Sequence, residues 1–182
     1  NYVDYFECVV TPEYYTRMHR KVKALTGIDE EVLQRGEPFT RAYARFREWC
    51  GETPALFTWG CDDIPILQAN MALHHMEAER AELPPWYDLQ LIFGRQVSGD
   101  NRQWSLNAAL EQQGMEHKLQ AHNALFDAAE TARICRMLDL PAGMQEADRV
   151  QKERELRRQQ RENQKKKNRA KYKTQKVEQI CI

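Results

Sequence analysis

Two short stretches carry residues suited to metal-assisted proton chemistry. In His122-Asn123-Ala124-Leu125-Phe126-Asp127 an imidazole precedes a carboxylate by five positions, and Cys61-Asp62-Asp63 brings two further carboxylates. Carboxylates and imidazoles are both metal-ligating side chains. At ~100° per residue, Leu125, Ala128, Ala132, Ile134, Cys135 and Leu138 fill one sector of a helix, with Glu130, Arg133 and Arg136 on the other side. Asp127 falls inside the apolar sector beside Ile134 and Leu138, and no Lys or Arg shares that face. Leaving an ionised carboxylate unpaired there is costly. Two readings follow. Asp127 faces the backbone amides of the helix N-terminus, where negative charge is favoured, or it holds a metal ion with His122 reaching into the same space.

The elements that must position these residues alternate between strand and helix. Pro54-Ala55-Leu56-Phe57-Thr58-Trp59-Gly60 reads as a short apolar strand, after which Asp62 or Asp63 caps a helix that tolerates Pro65 in its first turn. A carboxylate just past the C-terminal end of a strand sits where α/β folds usually place their chemistry. Ile64, Leu67 and Met71 continue that helix's buried face, with His74 and His75 at the surface or the core edge.

Upstream, residues 2–10 are aromatic and β-branched and predict a strand closed by Thr11-Pro12. Residues 13–24 look helical or irregular. Gly27 permits a tight turn, Asp29 caps a short helix through Gln34 that stops at Gly36, and Pro38 begins another whose Phe39, Ala42, Tyr43, Phe46 and Trp49 are expected in the core. Downstream, Leu83-Pro84-Pro85 leads into Trp86 to Phe93, where Tyr87, Leu89, Leu91 and Phe93 alternate as on one face of a strand. A polar loop is expected from Gly94 to Gln103. Ser105 then caps a helix through Gln112 that Gly114 terminates, and Pro141-Ala142-Gly143 closes the compact part.

With 182 residues the chain can build one cored domain. It has no apolar run of membrane-spanning length and no signal-peptide pattern, so it reads as soluble, intracellular and cytoplasmic, with no membrane partner. Cys8, Cys50, Cys61, Cys135 and Cys181 are scattered, which argues against a disulfide framework or structural zinc. The zero net charge hides a division: residues 146–182 hold 13 of the 27 Lys/Arg and 6 of the 27 Asp/Glu, a net of plus 7 on a tail behind an acidic remainder of minus 7. Residues 151–176 contain only Leu156, Ala170 and Tyr172 as apolar side chains, so they cannot form a core and are expected to be helical or partly disordered. The predicted organisation is a single α/β domain over residues 1–143 followed by a basic arm, 144–182.

Trp59-Gly60-Cys61-Asp62-Asp63 together with His122 to Ala128 resembles the second and third motifs of the DEDDh 3′-to-5′ exonucleases, the RNase T and DnaQ-like superfamily. Leu25-Thr26-Gly27-Ile28, Tyr87-Asp88-Leu89 and Ser105-Leu106 look most like the branch containing Eri-type RNases and bacterial sporulation-inhibitor nucleases. The resemblance covers residues 2 to about 140 and implies an RNase H-like mixed sheet flanked by helices. It implies Asp63 and Asp127 as metal ligands, His122 as general base, and Thr26, Gly27 and Ile28 against the terminal nucleotide. It also implies a two-metal Mg²⁺ or Mn²⁺ site acting on single-stranded RNA or DNA 3′ ends, RNA before DNA. The family's first motif, Asp-x-Glu on the first strand, has no counterpart; Asp4 and Glu7 have the wrong spacing. The expectation is therefore that the N-terminal strands are missing and that this chain binds metal weakly and hydrolyses little. The alternative is a catalytically inactive nuclease fold that binds nucleic acid or protein, with the basic arm contacting nucleic acid or a protein partner.

Overall fold

The computed structural model describes residues 4–14, 17–52, 55–116 and 123–180, with the side chains of 167 and 169–180 left aside. In chain order these residues form α1 (Arg20–Thr26), α2 (Glu30–Gln34), α3 (Phe39–Cys50), β1 (Leu56–Thr58), α4 (Asp63–Leu73), α5 (Glu77–Ala81) and β2 (Trp86–Asp88). There follow α6 (Leu89–Phe93), a π-helical turn over Gly94–Ser98, α7 (Leu106–Gln112), α8 (Ala124–Cys135) and α9 (Leu140–Ile180). The strands pair in parallel, Leu56 opposite Trp86 and Thr58 opposite Asp88. Parallel neighbours need a long crossover, here supplied by α4 and α5. Among the described residues the sheet has these two strands.

Short polar side chains set the helix starts. Asp29 Oδ1 accepts from the Val32 N–H at 2.9 Å and Ser105 Oγ from the Ala108 N–H at 3.2 Å, as their spacing predicts. Gly27 closes α1 at φ 70°, and Gly114 follows α7 at φ 65°, both in the left-handed region that glycine enters without strain.

Five expectations are corrected. Described residues 4–9 carry no regular structure, and Val10 makes only an isolated parallel bridge with Glu37. The aromatic side chains direct this segment across α3: Phe6 packs on Phe46 and Trp49 at 6.0 and 5.9 Å, and Trp49 Nε1 donates to Asp4 at 3.0 Å. Trp49, expected in the core, is consequently 43% exposed. The strand expected through Phe93 stops at Asp88, because Asp88 Oδ1 accepts from the Leu91 N–H at 3.1 Å and starts α6. Leu89, Ile92 and Phe93 are then buried at helical spacing, and the expected loop begins as a π-helical turn. Pro141, Ala142 and Gly143 lie in the first turn of α9.

Two apolar clusters stabilise the first of the chain's two compact units, residues 1–138. One joins Phe93, Trp104, Ala109, Leu110 and Ile134, with Trp59 packed against it; the other joins Tyr43, Met71 and Met76 with Phe39, Phe46 and Leu67. The second unit, residues 139–182, consists mainly of α9. No helix among the described residues is long and apolar enough to cross a membrane. Truncating fully buried Ile134 to Ala is expected to cost about 2–5 kcal/mol by urea denaturation. Leu156→Ala on exposed α9 should stay within about 0.5 kcal/mol.

Candidate functional site

At the end of β1 the Thr58 hydroxyl donates to the Gly60 carbonyl at 2.7 Å and accepts from Trp86 Nε1 at 3.2 Å. Gly60 has φ 105°, a conformation that side-chain-bearing residues rarely adopt. Behind this turn Trp59 Nε1 donates to the Trp104 carbonyl at 2.9 Å, tying it to the aromatic core. The turn delivers Asp62 to the N-cap position of α4 and Asp63 to its first helical residue. Asp62 makes no capping hydrogen bond with its side chain, contrary to the simplest reading of the sequence; Asp63 faces a cavity.

On α8, Asn123 holds the capping role: its Oδ1 accepts from the Phe126 N–H at 3.1 Å. Asp127 lies in the first turn of the same helix, where its negative charge is also favoured by the N-terminal amides. Among the described residues, neither the Asp63 nor the Asp127 carboxylate has a hydrogen-bond or ion-pair partner. Both line one open cavity of about 730 Å³. Residues of β1 form one wall, the start of α7 brings Ser105 and Asn107, and α8 presents Asp127, Thr131 and Cys135. Of the polar lining residues, Ser105 was read as a helix cap and not as part of the site, and Thr58, Asn107 and Thr131 were not singled out because single hydroxyls and amides carry no periodic signal.

The orientation of α8 differs from the single-sector reading. Glu130, expected opposite the apolar face, is 1% exposed beside fully buried Ile134, while Ala128, Ala132 and Cys135 face the cavity. Arg133, three residues on, makes this possible: its Nη1 donates to Glu130 and, at 3.3 Å, to the Glu116 carbonyl. An acid followed by a base at helical spacing was the available signal.

Partial desolvation, and then the charge of Asp62, hold the Asp63 carboxyl above the usual aspartate range, although Asp63 keeps contact with solvent. Burial pushes the Cys135 thiol up, keeping it protonated and a poor ligand. The described residues include no group of three or more His, Cys, Asp or Glu side chains at metal-binding distances. Two unpaired carboxylates nevertheless fit Mg²⁺, which is commonly held by one or two carboxylates with water and phosphate oxygens completing the shell. They do not by themselves make a closed cage for two ions.

His122 lies outside the described residues, directly before the Asn123 cap of the helix that carries Asp127. Thr26, Gly27 and Ile28 are at the C-terminal end of α1, where the Thr26 hydroxyl donates to the Val22 carbonyl at 2.9 Å and accepts from the Ile28 N–H at 3.3 Å. They are not among the residues that line the cavity.

A carboxyl whose folded-state pKa is raised opposes folding once it is ionised, and that cost fades as pH falls through the folded value. Asp63→Asn is therefore expected to raise Tm at pH 7 in the absence of divalent cations, with the difference shrinking toward acid pH. Adding Mg²⁺ should raise the Tm of the unsubstituted chain in a concentration-dependent way, an effect lost in Asp63→Asn and in Asp127→Asn.

The model of the exonuclease family RNase_T matches residues 2–135. Among solved structures, this chain resembles a 3′-exonuclease described in 3′-end specific recognition of a histone mRNA stem-loop, with a TM-score of 0.62 and 23% identity over 72% of this chain and 62% of that one. It also resembles the nuclease domain of 3′hExo, a DEDDh family member bound to rAMP, with a TM-score of 0.61 and 24% identity over 69% and 66% of the two chains. Cell-death related nuclease 4 is similar as well, with a TM-score of 0.61 and 20% identity over 72% and 48%. These likenesses establish an RNase H-like exonuclease fold, and the chain spans less than two thirds of each of these structures. None of the curated proteins compared with this chain matches it.

Proposed function

Because the chain belongs to the RNase_T family of exonucleases, of the DEDDh type, we propose that it hydrolyses phosphodiester bonds at single-stranded 3′ ends, RNA before DNA, with a divalent cation held by Asp63 and Asp127. The observation that carries this reading is the convergence of those two unpartnered carboxylates, from the β1–α4 turn and from α8, on one open cavity. RNA is favoured because two of the similar structures are described with RNA ligands, a histone mRNA stem-loop and rAMP.

When bound, Mg²⁺ or Mn²⁺ would supply Lewis-acid chemistry at the phosphodiester. The chain's own residues do the rest. Asp63 and Asp127 orient the reacting group at the cavity, where both side chains remain open to solvent and substrate. His122 takes the proton of the attacking water, a role that suits an imidazole titrating near neutrality and that contributes about 10²–10⁴-fold in comparable enzymes. At Gly27, a Cβ placed on the backbone would meet no atom within 4 Å, which leaves the main chain of Thr26–Ile28 approachable by a terminal nucleotide. Among the described residues two carboxylates line the cavity, and turnover by this chain is expected to be slow.

The test is a 5′-labelled single-stranded RNA incubated with the protein and Mg²⁺. A metal-dependent ladder shortening from the 3′ end is expected, reduced about 10²–10⁴-fold by His122→Ala and abolished by Asp127→Ala while circular dichroism stays unchanged. A ladder that persists in Asp127→Ala overturns the assignment. Binding without any metal-dependent shortening would replace the enzyme with a nucleic-acid-binding module.

A further inference from the structure

Within the second unit, Arg154, Arg157, Arg158, Arg161 and Lys165 line a shallow groove along α9, together with Glu162. Their spacings of three, one, three and four residues keep the five cations within a sector about 100° wide and about 16 Å long on a helix. Arg158 Nε is paired with Glu162 at 3.1 Å. Among the described residues, Arg154, Arg157, Arg161 and Lys165 have no ion-pair partner, although acidic residues are available elsewhere on the same helix and pair with Arg149. All four are exposed. Four like charges held side by side repel one another and are relieved by a polyanion.

The chemistry of the face selects among polyanions. It is mostly arginine, whose planar fork matches phosphate oxygens in pairs. It contains no apolar side chain, so it lacks the desolvated centre of a protein interface and the apolar face of a membrane-surface helix; the one apolar residue nearby, Leu156, is on the opposite side of α9. We infer that this stripe docks the phosphate backbone of single-stranded RNA. The choice of RNA rests on the nuclease reading above.

The experiment measures binding of the full chain to a 15-nucleotide oligouridylate in EDTA, so that no hydrolysis intervenes, as a function of salt. Four phosphate contacts on a single strand predict a log–log slope of about −2.8, or about a 50-fold loss of affinity between 50 and 200 mM salt. A charge-conserving variant, Arg157→Gln with Gln159→Arg and Arg161→Gln with Gln160→Arg, moves two cations off the stripe without altering net charge. Its slope should be shallower by about 1.4, whereas Lys152→Gln, off the stripe, should leave the slope unchanged. An unchanged slope in the relocated variant, with helicity preserved by circular dichroism, overturns the proposal. Poly-glutamate competing as well as oligouridylate overturns it in favour of an acidic protein partner. Asp127→Asn keeps the stripe and its salt slope, so loss of hydrolysis with retained binding separates failure of the site from failure of the arm.

Discussion

Two carboxylates, Asp63 and Asp127, line one cavity with no counter-charge paired to them among the described residues, and the surrounding structure fixes the elements that carry them. Asp63 follows a turn fixed by the Thr58 hydroxyl between Gly60 and Trp86, backed by Trp59 bonded to the Trp104 carbonyl. Asp127 is one turn into a helix anchored through fully buried Ile134 and Glu130. The aromatic cluster of Trp59, Phe93 and Trp104 lies behind the first support, and the contact of Ile134 with that cluster joins it to the second. The Asp63 carboxyl is held above the usual aspartate range by partial desolvation and then by the charge of neighbouring Asp62.

Much of this was legible in the sequence where a single residue decides a local structure. Asp29 and Ser105 cap helices because a short oxygen-bearing side chain before a helical period has few better options. Asp63 and Asp127 were singled out for a different reason, a motif order along the chain that resembles a family, and both line one cavity. The failures came where two local rules competed. Trp86 to Phe93 alternates like a strand and also repeats like a helix; the cap at Asp88 decided for the helix, and alternation alone could not show it. Residues 4–9 have strand composition, but their aromatic rings found partners on α3 before any ladder.

Glu130 shows a subtler limit. A helical wheel sorts residues by polarity, and it put this glutamate outside; neutralisation by Arg133 let it go inside. The rotation that followed turned Ala128, Ala132 and Cys135 from supposed core residues into cavity wall, leaving small side chains around Asp127. The apolar face read from the wheel is thus shared between a packed side and an open one. Arg133 also reaches the Glu116 carbonyl, so the same pair ties α8 to the end of the segment that follows α7.

The shortness of β1 has a consequence for how the protein behaves in concentrated solution. A strand with hydrogen-bonding groups on an unoccupied side is adhesive, and proteins commonly blunt such edges by keeping them short. At three residues, β1 offers too few backbone bonds to zip onto a neighbour. A strand this short is a weak template for pairing with another chain, while the cavity beside it stays accessible.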